Sequence, residues 1–434
     1  MSNIAVVFNE AERIEGSLNL CPDVNLYTGK REFNKEFGEL TSLEEDLLVV
    51  GAAIFAADIA TKRGQHHNFI RGIELMIPVV NLPVFENVVD DIRYALHLLS
   101  SDAWTINFTQ RDGLPEKIRN KKARKSGKVL LFSGGLDSFA AAVLLAQRTD
   151  QVQLVSHVTA NRVISGTQDC LEDYLKKIYA DKFSRLAFRV TGYGKPTKSF
   201  PFPQDQDREE TQRTRSFMFL CLAGLVARRL SFQDVVMIAE NGQMAIHLPL
   251  SAGRISAFST HTAHPEFVSV MSEILSKILR YEIKIENPFI HMTKAEVVKL
   301  TLPDHKDILD QTVSCWKASR VSNFHHCGIC VPCLIRRIAL ESNNIFLPEC
   351  ERDLLRENIS ELSADDDGKR NLVDLCEFIS HFKANHSLAE LQVLFPELAT
   401  ASYDVKKVVK MYKNFAAEAM AVFENYAEVR KIMG

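Results

Sequence analysis

The sequence predicts an α/β protein built on a parallel sheet, and three observations carry that reading. Between residues 128 and 310, short apolar runs alternate with segments of helical period, as strands alternate with helices in a parallel sheet. One run, 128–132, passes directly into Ser133-Gly134-Gly135-Leu136-Asp137-Ser138 and then FAAAVLLAQR: strand, glycine turn, helix. Downstream, Cys315, Cys327, Cys330 and Cys333 stand as C-x11-C-x2-C-x2-C, a metal-ligand spacing.

Composition bounds the rest. At 434 residues the chain is expected to hold two or three domains. Its 46% hydrophobic and 25% charged content are those of a soluble globular protein, and a net charge of −3 gives no support for nucleic-acid contact. The opening MSNIAVVFNEAERIEG lacks the basic region of a signal peptide. The longest apolar run, LLVVGAAIFAADIA, is interrupted by Asp58 and is short for a membrane span. A cytoplasmic protein is expected, with cysteines serving as metal ligands or core thiols rather than disulfides.

Residues 1–110 read as an N-terminal α/β module, structural or partner-docking. IAVVF and the VNLYTG region are expected strands. Ser42 should cap a helix, with Glu45 closing a capping box. AAIFAADIATKR reads as a buried helix and IELMIPVV as a strand, with Pro78 suggesting an edge position. VVDDIRYALHLLSS is a helix and WTINF a strand. Residues 111–127 form a basic linker. Its Lys121, Lys122, Arg124 and Lys125 suit a solvated run or a contact with nucleic acid or polyphosphate.

The glycine turn is where the chemistry is expected. Two glycines let backbone approach a ligand closely, and the first N–H groups of the following helix favour an anion. Ser133 and Ser138 can add hydroxyl donors. Asp137 would repel phosphate, so its expected work is to hold Mg²⁺ or orient a reacting group. The turn lacks the Lys-Ser/Thr ending of a Walker A loop. VQLVSHVTA, RLAFRVTGY and DVVMIAENG are further strands, with helices at LEDYLKKIYADKF and ETQRTRSFMFLCLAGLVARRL. Ligands sit beyond the carboxyl ends of such strands, where His157, Glu240, Asn241 and the glycine turn fall. Arg213 and Arg215, opening the long helix, suit phosphate or carboxylate, or are a surface pair. His157 is a substrate donor or a satisfied core histidine. The aperiodic 243–266 segment suits a substrate-covering loop.

Four thiolates close a tetrahedral site, so a structural Zn²⁺ is expected at the cysteine set, although an iron–sulfur cluster uses the same ligands. His325 and His326 are possible substitutes. Cys21, Cys170, Cys221, Cys350 and Cys376 read as scattered thiols. Residues 341–434 read as a helical C-terminal extension, with helices at LVDLCEFISHFKA, SLAELQVLF and YDVKKVVKMYKNFAAEAMAVFENYAEVRKIM.

SGGLDS resembles the PP-loop of the ATP pyrophosphatases, which cleave ATP between its α and β phosphates. Together with PFIHMTKAEVVKL at 288–300 and TVSCW…CGICVPCLIRR at 312–337, it makes residues 128–340 resemble the QueC family of 7-cyano-7-deazaguanine (preQ0) synthases. The resemblance implies a Rossmann-like adenine nucleotide α-hydrolase core with a four-cysteine zinc site. It implies ATP and Mg²⁺, held by residues 133–138, and adenylation of 7-carboxy-7-deazaguanine by an AMP-forming carbon–nitrogen ligase. Asp137 and Arg215 then stand as catalytic candidates, with His157, Arg213, Glu240 and Asn241 toward substrate. The family's Gln-Arg-His motif is replaced here by SHVTANRV. The added N- and C-terminal regions are similar to QatC-type proteins of Qat anti-phage systems. That similarity implies an operon-encoded partner, whose amine could replace ammonia as acceptor. A nucleotide-binding scaffold without turnover is the contrasting expectation.

Overall fold

The computed structural model describes residues 2–64, 70–116, 126–149, 151–158, 162–191, 195–232, 235–251, 261–318, 325–346 and 350–433. The N-terminal quarter supplies β1 (Ser2–Val6), β2 (Leu18–Leu20), β3 (Tyr27–Thr28), β4 (Gly72–Val79) and β5 (Ala103–Gln110). Among them lie α1 (Lys30–Phe37), α2 (Ser42–Ala60), α3 (Leu82–Glu86) and α4 (Val89–Ser100). A parallel sheet forms in the order β2-β1-β4-β5. β4 is therefore interior, not the edge strand that Pro78 suggested. β1 pairs with it only as far as Met76, so at Pro78 the register leaves β5 alone beside it.

The start of α2 differs from expectation by one residue. Thr41 and Ser42 both precede a glutamate by three positions. Thr41 is the extended residue, and it forms the capping box with Glu44. Ser42 already lies in the helix and donates its hydroxyl to Leu114 O at 2.9 Å, while Glu45 turns to Lys30.

The second sheet is formed by β6 (Lys128–Leu131), β7 (Val152–His157), β8 (Phe183–Phe188), β10 (Val235–Met237) and β11 (Lys284–Glu286). Its order is β11-β10-β6-β7-β8, all parallel. The intervening β9 (Val190–Thr191) pairs antiparallel with β3 and joins the two halves of the chain. The helices are α5 (Leu136–Ala146), α6 (Arg162–Tyr179), α7 (Arg215–Leu230), α8 (Gly242–Ile246), α9 (Pro265–Leu279) and α10 (Lys294–Thr301). β11 was not expected: at three residues it is too short to show a period.

The chain enters this sheet at β6, runs outward to β8, then returns to β10 on β6's other side. That reversal opens a crevice between the carboxyl ends of β6 and β10, the standard ligand position in an open α/β sheet. The sheets share one apolar core. α2 is buried along almost its whole length because it lies between β4 and α7, and the cluster runs from Ile4 to Ile285. Gly51 on α2 permits the close approach to Cys221 on α7.

The remaining helices are α11 (Val331–Glu341), α12 (Asp367–Lys383), α13 (Leu388–Leu394), α14 (Val405–Phe423) and α15 (Ala427–Met433). The single helix expected over 403–433 is broken after Phe423. A second core, which includes Leu375, Phe378, Tyr412 and Phe415, seats this bundle on α8 and α11. Among the described residues no helix is long and apolar enough to cross a membrane. The basic run at Lys121, Lys122, Arg124 and Lys125 lies outside the described residues, as do 252–260 of the expected covering loop.

Candidate active site

The glycine turn is built by its own hydroxyls. Gly134 has φ +84°, and a Cβ there would lie 3.0 Å from Thr167 Cγ2, so a side chain is excluded both by conformation and by contact. Gly135 N donates to Ser133 Oγ at 3.2 Å, Ser138 Oγ donates to Gly135 O at 3.0 Å, and the two hydroxyls are 3.2 Å apart. Gly135 is the N-cap of α5 and offers no side-chain cap, so the first amides of α5 open toward the crevice. A helix end of this kind favours an anion through its aligned dipole and unpaired N–H groups.

Asp137 sits in the first turn of α5, 8% exposed. Both its oxygens are engaged. Oδ1 accepts from Lys294 Nζ at 2.8 Å, and Oδ2 accepts from Asn241 Nδ2 at 2.7 Å and Asn241 N at 3.3 Å. Lys294 is the residue that sequence reasoning missed. It opens α10, whose capping box joins Thr293 and Glu296. The T-x-x-E signal was present in TKAE and would have placed Lys294 at the helix start. Its approach to Asp137 is a contact between residues 157 positions apart, which no local pattern encodes.

The pocket beyond the turn is lined by Ser133, Asp137, Glu240, Lys294, Ser314 and Trp316, among others. Glu240 is half-buried and is mounted through its backbone. Its N donates to Asn287 Oδ1 at 3.3 Å, and its O accepts from Asn287 Nδ2 at 2.7 Å. Its Oε2 accepts from Thr262 Oγ1 at 3.2 Å. Withdrawal from water, with the Asp137 charge adding to it, pushes the Glu240 carboxyl up to about 7.

The other expected residues lie elsewhere. Asp58 at the end of α2 accepts from Thr214 N at 2.8 Å and Thr214 Oγ1 at 3.0 Å, and so fixes where α7 begins. Arg215 follows. It is exposed, with its guanidinium 5.7 Å from the Phe219 ring centre. His157 packs between Phe55 and Phe219 and donates from Nε2 to Val190 O at 2.8 Å, leaving Nδ1 buried without a partner among the described residues. Burial, with the Arg215 cation adding to it, pushes His157 down to about 4, so it is neutral at pH 7. Arg213 is 3% exposed and donates to Ser100 O at 3.5 Å, in a buried charge cluster with Arg63, Arg71, Asp102 and Glu209. None of Arg213, Arg215 and His157 lines the pocket at the glycine turn.

The four cysteine sulfurs lie within 4.8 Å of one another and are buried. Cys330 caps α11 and Cys333 sits in its first turn. Gly328, at φ +78°, lets the chain turn between Cys327 and Cys330. His326 Nε2 instead accepts from Ser314 N at 3.2 Å, and His325 Nδ1 lies 3.1 Å from Asp310 O. Four convergent thiols, with no oxygen ligand joining them among the described residues, fit a tetrahedral soft-metal site that could bind zinc. The set is coupled to the glycine turn: Val313 N, two residues before Cys315, donates to Gly134 O at 3.0 Å. Arg336 of α11 donates to Thr312 Oγ1 at 2.7 Å and holds that segment in place.

The chain is similar in sequence to known proteins. The chain is 24% identical over 234 residues to a 7-cyano-7-deazaguanine synthase of Brucella anthropi, covering 52% of this chain and 93% of the relative. It is 25% identical over 326 residues to one of Sulfolobus acidocaldarius, covering 72% of this chain and 68% of the relative. A Hahella chejuensis relative of the same name is 26% identical over 229 residues, covering 51% and 90%. The family described as queuosine biosynthesis protein QueC matches residues 127–344, half of the chain, with the glycine turn, Lys294 and all four clustered cysteines inside the match, and the chain belongs to that family.

Proposed function

We propose that the protein is an ATP-dependent, AMP-forming ligase that adenylates the carboxylate of a 7-deazaguanine acid and passes it to an amine. The observation that carries this reading is the open N-terminus of α5 with the buried Asp137–Lys294 pair inside its first turn. The amides suit the triphosphate. Asp137 fixes the Lys294 ammonium where charge grows on the phosphates as pyrophosphate leaves, and a cation held in place needs no reorganisation at that moment. Because both Asp137 oxygens are engaged, Mg²⁺ enters in this reading on the triphosphate. Arg215 and His157 lie outside the pocket at the glycine turn, so this reading gives them no contact with the acid there. Arg213 contributes through the packing that sets the start of α7. Zn²⁺ at Cys315, Cys327, Cys330 and Cys333 would be structural, because four protein ligands leave no open position.

The relatives' name supports 7-carboxy-7-deazaguanine as the acid and ammonia as the simplest amine. A partner protein's amine, in an anti-phage setting, is the second acceptor. It is favoured by the regions outside 127–344 and by SHVTANRV where the family carries Gln-Arg-His. The test is product analysis with ATP, Mg²⁺ and 7-carboxy-7-deazaguanine. AMP and pyrophosphate that form only with the acid are expected. ATP bound without turnover, with and without a candidate partner, would establish a scaffold instead.

A further inference from the structure

The pocket holds two carboxylates in unlike surroundings. Asp137 faces a buried ammonium and an amide. Glu240 has a single hydroxyl partner, Thr262, among the described residues, and its backbone is clamped on both sides by Asn287. It lines the same pocket as the glycine turn from the opposite lip of the crevice, at the end of β10. The charged groups acting on it are Asp137 on α5 and Lys294 on α10. A pair of pocket carboxyls with divergent environments is the arrangement that separates a fixed charge from a proton acceptor.

Resting on the adenylation reading above, we propose that Glu240 is the general base of the second half-reaction, taking the proton from the acceptor amine. The amine nitrogen forms a bond to the acyl carbon, and the bond from that carbon to the AMP phosphate oxygen breaks. The electron pair leaves with AMP. The nitrogen's proton passes to the Glu240 carboxylate and then to water. Adenylation needs no such base, so the two half-reactions separate. The carboxyl's elevated proton affinity, near 7, lets it accept at neutral pH and release the proton afterwards.

The experiment compares the unaltered protein with Glu240→Gln, using 7-carboxy-7-deazaguanine as acid and ammonium chloride as amine source. Acid-dependent ATP–pyrophosphate exchange reports adenylation, and single-turnover amide formation reports transfer. With rates compared at constant free ammonia, the expected result is that exchange falls less than about threefold, while transfer falls at least about 100-fold and loses its rise through pH 7. Hydroxylamine, which attacks without a base, should restore capture. Thr262→Val, which removes the bond favouring the ionised form, should move the inflection to higher pH in a folded protein. Transfer within threefold of normal, with its inflection unchanged, overturns the role of Glu240. Equal losses in exchange and transfer also overturn it. Absence of acid-dependent exchange in the unaltered protein overturns the adenylation reading and this inference with it.

Discussion

Lys294 Nζ stands 2.8 Å from Asp137 Oδ1, and the two side chains are 6% and 11% exposed. One comes from the first turn of α5 and the other from the first turn of α10, so the pair pins two helix starts together at the mouth of the crevice. Removing one member leaves the other charge buried without its partner. Lys294→Met should therefore lower stability by about 3 kcal/mol, and acid-dependent ATP–pyrophosphate exchange by at least about 100-fold. Asp137→Asn should do the same to exchange. In a double-mutant cycle by urea melting, the two losses should fall short of additivity by more than about 1 kcal/mol. Strict additivity would mean that the pair is not coupled.

Much of this was legible in the sequence because it is local. The SGGLDS turn, its strand and its helix occupy consecutive residues, and three of the four cysteines lie within seven positions. The parallel sheet followed from alternating periods. What escaped was non-local. Lys294 looks like an ordinary helix-opening residue until the fold brings it to Asp137. Arg213 and Arg215 are two positions apart, yet one is buried among charges and the other is exposed over Phe219, because Asp58 grips Thr214 between them. The one-residue error at the start of α2 arose because Thr41 and Ser42 carry the same spacing to a glutamate. The fold distinguishes them by giving the Ser42 hydroxyl to Leu114 O and the Glu45 carboxylate to Lys30.

Gly328 should be among the least replaceable residues of the metal segment. Its φ is +78°, and an added Cβ would lie 1.9 Å from the carbonyl oxygen of Arg352 and 2.7 Å from Cys350 Sγ. Gly328→Ala combines backbone strain with a clash against main chain, which cannot rotate away. A loss of about 3 kcal/mol or more is expected. Gly16 has φ +76° but nothing within 4 Å of its Cβ position. Gly16→Ala should therefore cost only the conformational part, about 1–2 kcal/mol. Equal melting shifts in the two variants would remove the clash from the account.

Metal removal should be felt at the nucleotide end of the pocket. Cys315 is two residues from Val313, whose N–H holds Gly134 O at 3.0 Å. Stripping the protein with a chelator, or making Cys333→Ser, should lower the melting temperature and also raise the KM for ATP. Zinc content should stand near about one equivalent per chain in the unaltered protein. A melting shift with an unchanged KM would show that the cysteine cluster does not communicate with the glycine turn.

The C-terminal bundle reaches the same machinery through α14. Tyr412 OH donates to Gln243 O at 3.2 Å, Gln243 Oε1 accepts from Lys294 N at 2.7 Å, and Glu418 Oε1 accepts from Thr293 Oγ1 at 2.8 Å. One helix thus braces both segments that hold Asp137. Burial, with Glu296 adding to it, pushes the Glu418 carboxyl up to about 7, above the 4.5 of a free glutamate. Between pH 4.5 and 7 the unfolded chain has released this proton and the folded chain still holds it. Stability from this group is therefore complete below pH 4.5 and is lost as pH rises to 7. Glu418→Gln keeps the shape and the acceptor but removes the titration. Its stability relative to the unaltered protein should improve by up to about 3 kcal/mol between pH 4.5 and 8. Urea melts at these two pH values give the comparison. A constant difference would show that Glu418 is ionised throughout, and that α14 braces Thr293 with a charge rather than with a neutral acid.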